Sequence, residues 1–274
     1  MDISKEYDFS GKVAVITGGA GVLCSEMARS LGQAGAKVVV LDIDEDNMEE
    51  LAGQLEEKEV DHLMIKTDVL DKASIEEAAG QTIDKYGQVD FLINGAGGNK
   101  AEATTSPDKS FFDLPEDAVQ WVFNLNFLGT LLTCQVFGKI FASQESGVIL
   151  NVSSMAAFTP LTKIPAYSGA KAAVSNFTQW LAVHISQNYS TEIRVNAIAP
   201  GFLLTEQNRF LLLDKETGEL TDRGQTIIDH TPLGEFGDPE DLITTIFWML
   251  APGSKFVHGA VIPVDGGFSA FSGV

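Results

Sequence analysis

The chain has 274 residues, 45% of them hydrophobic, enough to bury a core as one large domain or two small ones. Its formal net charge of −20 excludes nucleic acid and anionic membrane surfaces as partners, because both are polyanionic and would repel it. The two cysteines, Cys24 and Cys134, stand outside any C-x-x-C pair or histidine cluster, which excludes a disulfide framework and leaves no metal site to expect.

The N-terminal "MDISKEYDFSGK" carries acids and no apolar leader, and no apolar run approaches the length needed to cross a bilayer. A soluble, cytoplasmic protein is expected. From residue 13 onward, short runs rich in Val, Ile and Leu occur at 13–16, 38–41, 62–66, 91–94, 148–152, 194–197 and 261–264. Amphipathic segments with apolar residues three or four apart lie between them, as at 21–34, 46–57 and 74–86. Strand and helix alternating in this way predict an α/β fold: a single doubly wound Rossmann-type domain over 1–274, with a parallel seven-stranded sheet and helices on both faces. The stretch 202–239 has no strand character and holds the polar insert "LLDKETGELTDRGQ", which reads as a lid over the active site.

Directly after the first run comes "TGGAGVLC". Gly18, Gly19 and Gly21 allow a tight bend that exposes backbone N–H groups to a pyrophosphate, and a helix from about Val22 and Leu23 points its positive end at it. Val22 is tolerated there if its φ is negative, and Cys24 is small enough to pack the helix on the strand. At the end of the second run stands Asp42, roughly twenty residues after the glycines, where a carboxylate can accept from both adenosine ribose hydroxyls. The same charge repels a 2′-phosphate, and no Arg or Lys lies within 42–47 to reverse this, so NAD is expected over NADP.

Further along, "PAYSGAKAA" sets Tyr167 and Lys171 four apart on a helix, hence on one face. A tyrosine titrates near pH 10, and a neighbouring cation is expected to lower that by stabilising the phenolate.

With these features in order, the chain resembles the short-chain dehydrogenase/reductase family over nearly its whole length. The motifs are "TGGAGVLC", "TDV" at 67–69, "NGAG" at 94–97, "NLNFLG" around Asn126, "NVSS" at 151–154, the Tyr167–Lys171 pair, "PGFLLT" at 200–205 and "PVDGG" at 263–267. Three positions depart from the family pattern: Val22 and Cys24 stand for turn glycines, and Gly95 stands for an asparagine. The resemblance implies a catalytic tetrad of Asn126, Ser154, Tyr167 and Lys171, with Ser153 structural. In the implied reduction, Ser154 holds the substrate oxygen and Tyr167 donates the proton. Lys171 tunes Tyr167 and binds the nicotinamide ribose, while Asn126 positions a relay water. For the cofactor, it adds Asp68 and Val69 at the adenine, and Asn94, Ala96 and Gly97 along the ribose and pyrophosphate. Pro200, Gly201, Leu203 and Thr205 are implied beside the nicotinamide.

The stretches that vary within the family, such as "NGAGGNKAEATT", "APGFLLTEQNRFLL" and "PVDGGFSAFSGV", resemble its D-mannonate oxidoreductases, or fructuronate reductases. A sugar acid offers one carboxylate and several hydroxyls, so its site calls for a cation and neutral hydrogen-bonding side chains. Asn99, Lys100, Lys163, Gln207, Asn208 and Arg209 are the candidates, together with Ser154 and Tyr167, and Lys163 or Arg209 is expected at the carboxylate. Alternatives are another sugar-acid or polyol dehydrogenase, such as a gluconate 5-dehydrogenase, and a non-catalytic NAD-binding regulator. His184 reads as a packing or interface residue. Trp121, Phe123, Phe127 and Trp180 are expected in the core or at subunit interfaces, and the family resemblance implies a homotetramer.

Overall fold

The computed structural model describes residues 3–205, 208–215 and 217–273. Within them the seven runs become seven strands: β1 (Val13–Thr17), β2 (Lys37–Asp42), β3 (His62–Lys66), β4 (Phe91–Asn94), β5 (Gly147–Val152), β6 (Ile193–Pro200) and β7 (Val261–Val264). They form one sheet in the order β3-β2-β1-β4-β5-β6-β7, with every neighbouring pair parallel. The predicted doubly wound α/β architecture is the one observed. Winding proceeds outward from β1 in one direction and from β4 in the other, so the crossovers leave a crevice where these two strands end.

Alternation along the strands sends side chains to two cores. Ala14, Ile16, Val38 and Val40 pack with Met27, Leu31, Leu51 and Leu55 from α1 (Val22–Gln33) and α2 (Glu45–Glu56), and with Ile246 and Met249 further along the chain. Val13, Val15, Val39 and Leu41 pack on the other face. Their partners are Ile75 from α3 (Lys72–Tyr86), Phe137 and Phe141 from the helix after β4, and Ile185 beyond β5. Each Val, Leu, Ile, Met or Phe side chain among them, fully buried, is worth about 1.5–3 kcal/mol.

Helix starts are set by capping. The Asp44 side chain accepts from Asn47 N and begins α2, and the Asp71 side chain accepts from Ala73 N and begins α3 two residues before the periodicity alone indicated. Gly87 ends α3 in the left-handed conformation.

After β4 come α4 (Glu116–Phe123), a π-helical turn (Asn124–Leu128) and α5 (Gly129–Gln144), one unbroken run of 29 residues. Its most apolar 18-residue window has a mean hydropathy of 1.3, long and apolar enough to cross a membrane, so the reading that no run approaches that length is corrected. Its hydropathy has another source. One side carries Val122, Phe137 and Phe141 into the interior, and the other sets Phe127 against Phe177 of α6 (Pro165–Asn188).

Between 202 and 239 lie a one-turn helix (Arg209–Leu212) and α7 (Asp222–Asp229), tied at the base by a bridge between Leu203 and Gly237. α8 (Ile243–Leu250) returns to the sheet. The guanidinium of buried Arg194, on β6, donates to the carbonyls of Met249, Leu250 and Ala251 at 2.7, 3.1 and 3.2 Å. It meets the negative end of α8, whose unpaired carbonyls would otherwise cost about 1–3 kcal/mol each.

Candidate active site

At the end of β1 the chain turns through Gly18, at φ +60°, where a Cβ would sit 2.7 Å from Ala96 Cα. Only glycine fits both that conformation and that approach. Gly19 is closed in as well, a Cβ there falling 2.8 Å from Ile16 O. Gly21 caps α1 in an extended conformation, and Val22 follows as its first helical residue, with φ outside the left-handed region as the sequence required. The N-terminus of α1 opens onto a cleft of about 590 Å³, lined there by Gly18, Gly21, Val22 and Leu23. First-turn N–H groups have no intrahelical carbonyl to bond, so they suit an anion.

One end of the cleft is formed by the tips of β2 and β3. Asp42 lines it, held by backbone: Oδ2 accepts from Ala20 N at 3.0 Å, and Oδ1 from Ile43 N and Asp44 N at 2.8 and 3.1 Å. Asp68 and buried Val69 line the same end, Asp68 Oδ1 accepting from Leu70 N at 2.8 Å.

Ala96 and Gly97 line the middle. Asn94 does not, and the expectation that it touches the cofactor is corrected. Its Nδ2 donates to Asn151 Oδ1 at 2.9 Å and Cys134 Sγ at 3.2 Å, and its Oδ1 accepts from Thr133 at 2.6 Å, all inside the core. Asn94 faces inward because position 94 is buried on β4, paired between Thr17 and Asn151 on its neighbours. Gly19 likewise supports the turn from outside the cleft lining.

Ser154, Tyr167 and Lys171 converge at the other end. Lys171 Nζ donates to Val152 O at 2.8 Å and lies 5.6 Å from the centre of the Tyr167 ring. Burial pulls the Lys171 ammonium down from 10.5 to about 8, partly opposed by Cys24. Burial also pushes the Tyr167 phenol up, against a hydrogen bond with Ser154 that pulls it down. The phenol is thus raised where the sequence suggested one lowered by Lys171, because burial outweighs the one opposing influence, the Ser154 hydrogen bond. Ser154 Oγ also accepts from Ala156 N at 3.1 Å. Ser153 Oγ is committed to Ser175 at 2.6 Å and to Lys171 O at 3.1 Å, the structural role expected of it.

Asn126 sits beneath the cleft, fully buried in the π turn. Its Nδ2 donates to Gly98 O and to Val122 O, both at 2.7 Å, and its Oδ1 accepts from Gly98 N at 3.2 Å. A Cβ on Gly97 would lie 2.6 Å from Asn126 Oδ1 and 3.2 Å from Lys171 Nζ, so these groups meet on the underside of Gly97. The π turn that aims Asn126 there was not legible in the sequence.

Pro200, Gly201, Leu203 and Thr205 line the remaining wall. Asn208 closes this segment on itself, its Oδ1 accepting from Thr205 N at 2.9 Å and its Nδ2 donating to Leu203 O at 2.8 Å. Gly201 is needed because a Cβ would lie 2.5 Å from Asp265 Cα, which gives "PVDGG" a packing role.

The substrate candidates fare differently. Among the described residues, Lys171 is the only cation lining the cleft, so Lys163 and Arg209 are not at a cleft-wall carboxylate site as expected. Both are exposed and outside its lining; the Lys163 carbonyl accepts from Thr105 N at 2.9 Å, and Arg209 opens the one-turn helix. Lys100 stands over the Trp121 ring at 4.4 Å, and exposed Asn99 donates to Thr104 at 2.8 Å. Neither lines the cleft. Gln207 lies outside the described residues. Gly98, Leu125 and Phe202 line this end instead, and adjacency to the motifs was their only sequence signal. His230 is exposed and away from the cleft, 6.5 Å from the Phe268 ring.

Phosphate turn, strand-end acid and Ser–Tyr–Lys cluster on a doubly wound sheet define a dinucleotide-dependent dehydrogenase. The chain belongs to the short chain dehydrogenase family, whose description matches residues 12–216. An uncharacterized oxidoreductase of Haemophilus influenzae is 46% identical over 285 aligned positions, covering 100% of this chain and 99% of the relative. The uncharacterized oxidoreductase UxuB of Bacillus subtilis is 46% identical over 276 positions, covering 97% and 98%. A Haemophilus crystal structure with bound NAD, D-mannonate oxidoreductase being its proposed activity, superposes with a TM-score of 0.92 at 45% identity, each chain covered in full.

Proposed function

We propose that this oxidoreductase uses NAD and interconverts D-fructuronate and D-mannonate, with Asn126, Ser154, Tyr167 and Lys171 as its tetrad. The observation that carries the reading is the convergence of Ser154, Tyr167 and Lys171 at one end of a cleft whose other end is held by Asp42. The residues present fit the cofactor: Gly18 and Gly21 line the cleft where α1 begins, Gly18 allowing the close approach of the Ala96 backbone, and Asp42 presents a backbone-anchored carboxylate to the ribose hydroxyls. The Haemophilus structure with bound NAD supports the same choice.

When bound, the reduced nicotinamide supplies a hydride to the keto carbon. Ser154 orients the carbonyl oxygen, and Tyr167 gives that oxygen its O–H proton as the new C–H bond forms, leaving a phenolate. Lys171 stabilises that phenolate and can return the proton. Asn126, through Gly98 and Val122, holds the floor beneath them. Substrate identity is supported by the D-mannonate activity proposed for the Haemophilus protein and by charge: among the described residues, the acids lining the cleft, Asp42, Asp44 and Asp68, gather at the adenosine end, away from Tyr167. The segment 202–239 supplies Phe202, Leu203, Thr205 and Asn208 to the wall, which supports its reading as the substrate lid.

NADH oxidation measured over a panel of keto acids is the test. D-fructuronate should give the highest kcat/KM, and NADH should exceed NADPH by about 100-fold because of Asp42. A 5-ketogluconate optimum would instead make the protein a gluconate-type dehydrogenase. NADH binding without turnover on any keto acid would make it a regulator.

A homotetramer belongs to the same proposal. Phe123, Phe127, Phe177, Trp180, His184 and Tyr189 form a row with successive ring separations of 5.6, 5.9, 6.1, 4.7 and 5.9 Å. Trp180 is 55% and Phe123 38% exposed, so they do not fill the core, and an apolar face of this kind calls for a partner. Light scattering should give four times the 29.4 kDa chain mass; a monomer would overturn the assembly.

A further inference from the structure

The turn after β1 and the turn after β4 are notched into one another. Gly95 N donates to Thr17 O at 3.1 Å and Ala96 N to Thr17 Oγ1 at 3.3 Å. Gly18 makes room for the backbone of Ala96, as described above. The converse also holds: a Cβ at Gly95 would fall 2.1 Å from Cys24 Sγ and 3.0 Å from Thr17 O. The side chain of Cys24, buried on the first turn of α1, thus occupies the place where a residue at 95 would put its own.

Taken singly along the sequence, Cys24 for glycine and Gly95 for asparagine are two unrelated departures from the family pattern. In space they are one exchange, in which bulk has moved from the β4 turn to the β1 turn. We propose that Cys24 is a positioning residue, and that Cys24 and Gly95 act as a unit that sets the spacing between the phosphate-facing helix start and the Gly97–Lys171 end of the cleft. This rests on the NAD reading of the cleft. Burial pushes the Cys24 thiol up to about 12, so it is packed as a neutral group and serves through its volume rather than as a nucleophile. Both Cys24 and Gly95 line the cleft, so a displacement of either changes the surface the cofactor meets.

The test is NAD affinity by calorimetry, with thermal melts, on the wild type, Gly95→Ala, Cys24→Gly and the double variant. Gly95→Ala should weaken NAD at least about 10-fold, because an added methyl cannot coexist with the thiol without shifting the turn. Adding Cys24→Gly should restore affinity to within about 3-fold of Cys24→Gly alone, a non-additivity expected only of groups in contact. Wild-type affinity in Gly95→Ala, additive effects in the double variant, or a change in melting temperature with no change in affinity would each overturn the proposal. If Gly95→Ala fails to fold, recovery of a folded, NAD-binding protein in the double variant supports the coupling, and its absence overturns it. Failure of the wild type to bind NAD would refute the cofactor reading instead.

Discussion

Tyr167→Phe is expected to lower kcat for keto-acid reduction by about 10³-fold or more, in the middle to upper part of the range for a positioned general acid. NAD affinity should stay within about 2-fold, because the ring remains and only the hydroxyl is lost. The size of the effect follows from the site. Ser154 can orient a carbonyl oxygen but has no proton to spare at neutral pH, and Lys171 is turned to Val152 O, so no neighbouring group replaces the phenol directly. Burial pushes the phenol up, keeping it protonated as reduction requires, while the Ser154 hydrogen bond limits that rise. Single-turnover measurement of NADH oxidation with excess substrate, beside NAD titration by calorimetry, separates chemistry from binding. Retention of more than about a tenth of wild-type kcat would remove Tyr167 from the role of acid.

The strand cores were legible because period-2 burial on both faces leaves continuous apolar runs, and six of the seven differ from the observed strands by no more than one residue at either end. β6 continues past residue 197 to Pro200, because small Ala199 and the strand-breaking Pro200 hide an extension in which Ile198 and Ala199 are fully buried. Gly18, Asp42 and the Tyr167–Lys171 spacing were legible because each needs one residue type at one backbone position. What a side chain spends its hydrogen bonds on was not. Asn94 belongs to the same motif as Ala96, yet its amide is consumed by Asn151 and Thr133 in the core. Lys163 and Arg209 fall in mouth-bordering segments, but chain order does not say whether a long cationic side chain lines a cleft. The sign of the Tyr167 shift is set by burial against the Ser154 hydrogen bond, and only three dimensions show how deeply the phenol is buried. Cys24 and Gly95 stand 71 positions apart, and only the fold shows that one fills the space the other vacates.

Lys171→Met should cost about 10²-fold in kcat/KM for NADH, and in the wild type the same parameter should be flat from pH 6 and fall as pH rises through about 8. Two protonated groups are required for reduction, the Tyr167 phenol and the Lys171 ammonium. Burial moves them in opposite directions, the phenol upward and the ammonium from 10.5 down to about 8, so the lysine is the first to lose its proton on the alkaline side. Lys171→Arg keeps the charge at any accessible pH and should carry the limb upward to the ionisation of Tyr167. Stability runs the other way. Because the folded pKa of Lys171 lies below its unfolded value, the buried cation opposes folding below pH 8, and that penalty is relieved between about 8 and 10.5 as the folded state gives up its proton first. In that window the contribution of Lys171 to stability rises while activity falls, and Lys171→Met, having no proton to lose, should show neither trend. A wild-type alkaline limb that survives unchanged in Lys171→Arg would mean that another group sets it.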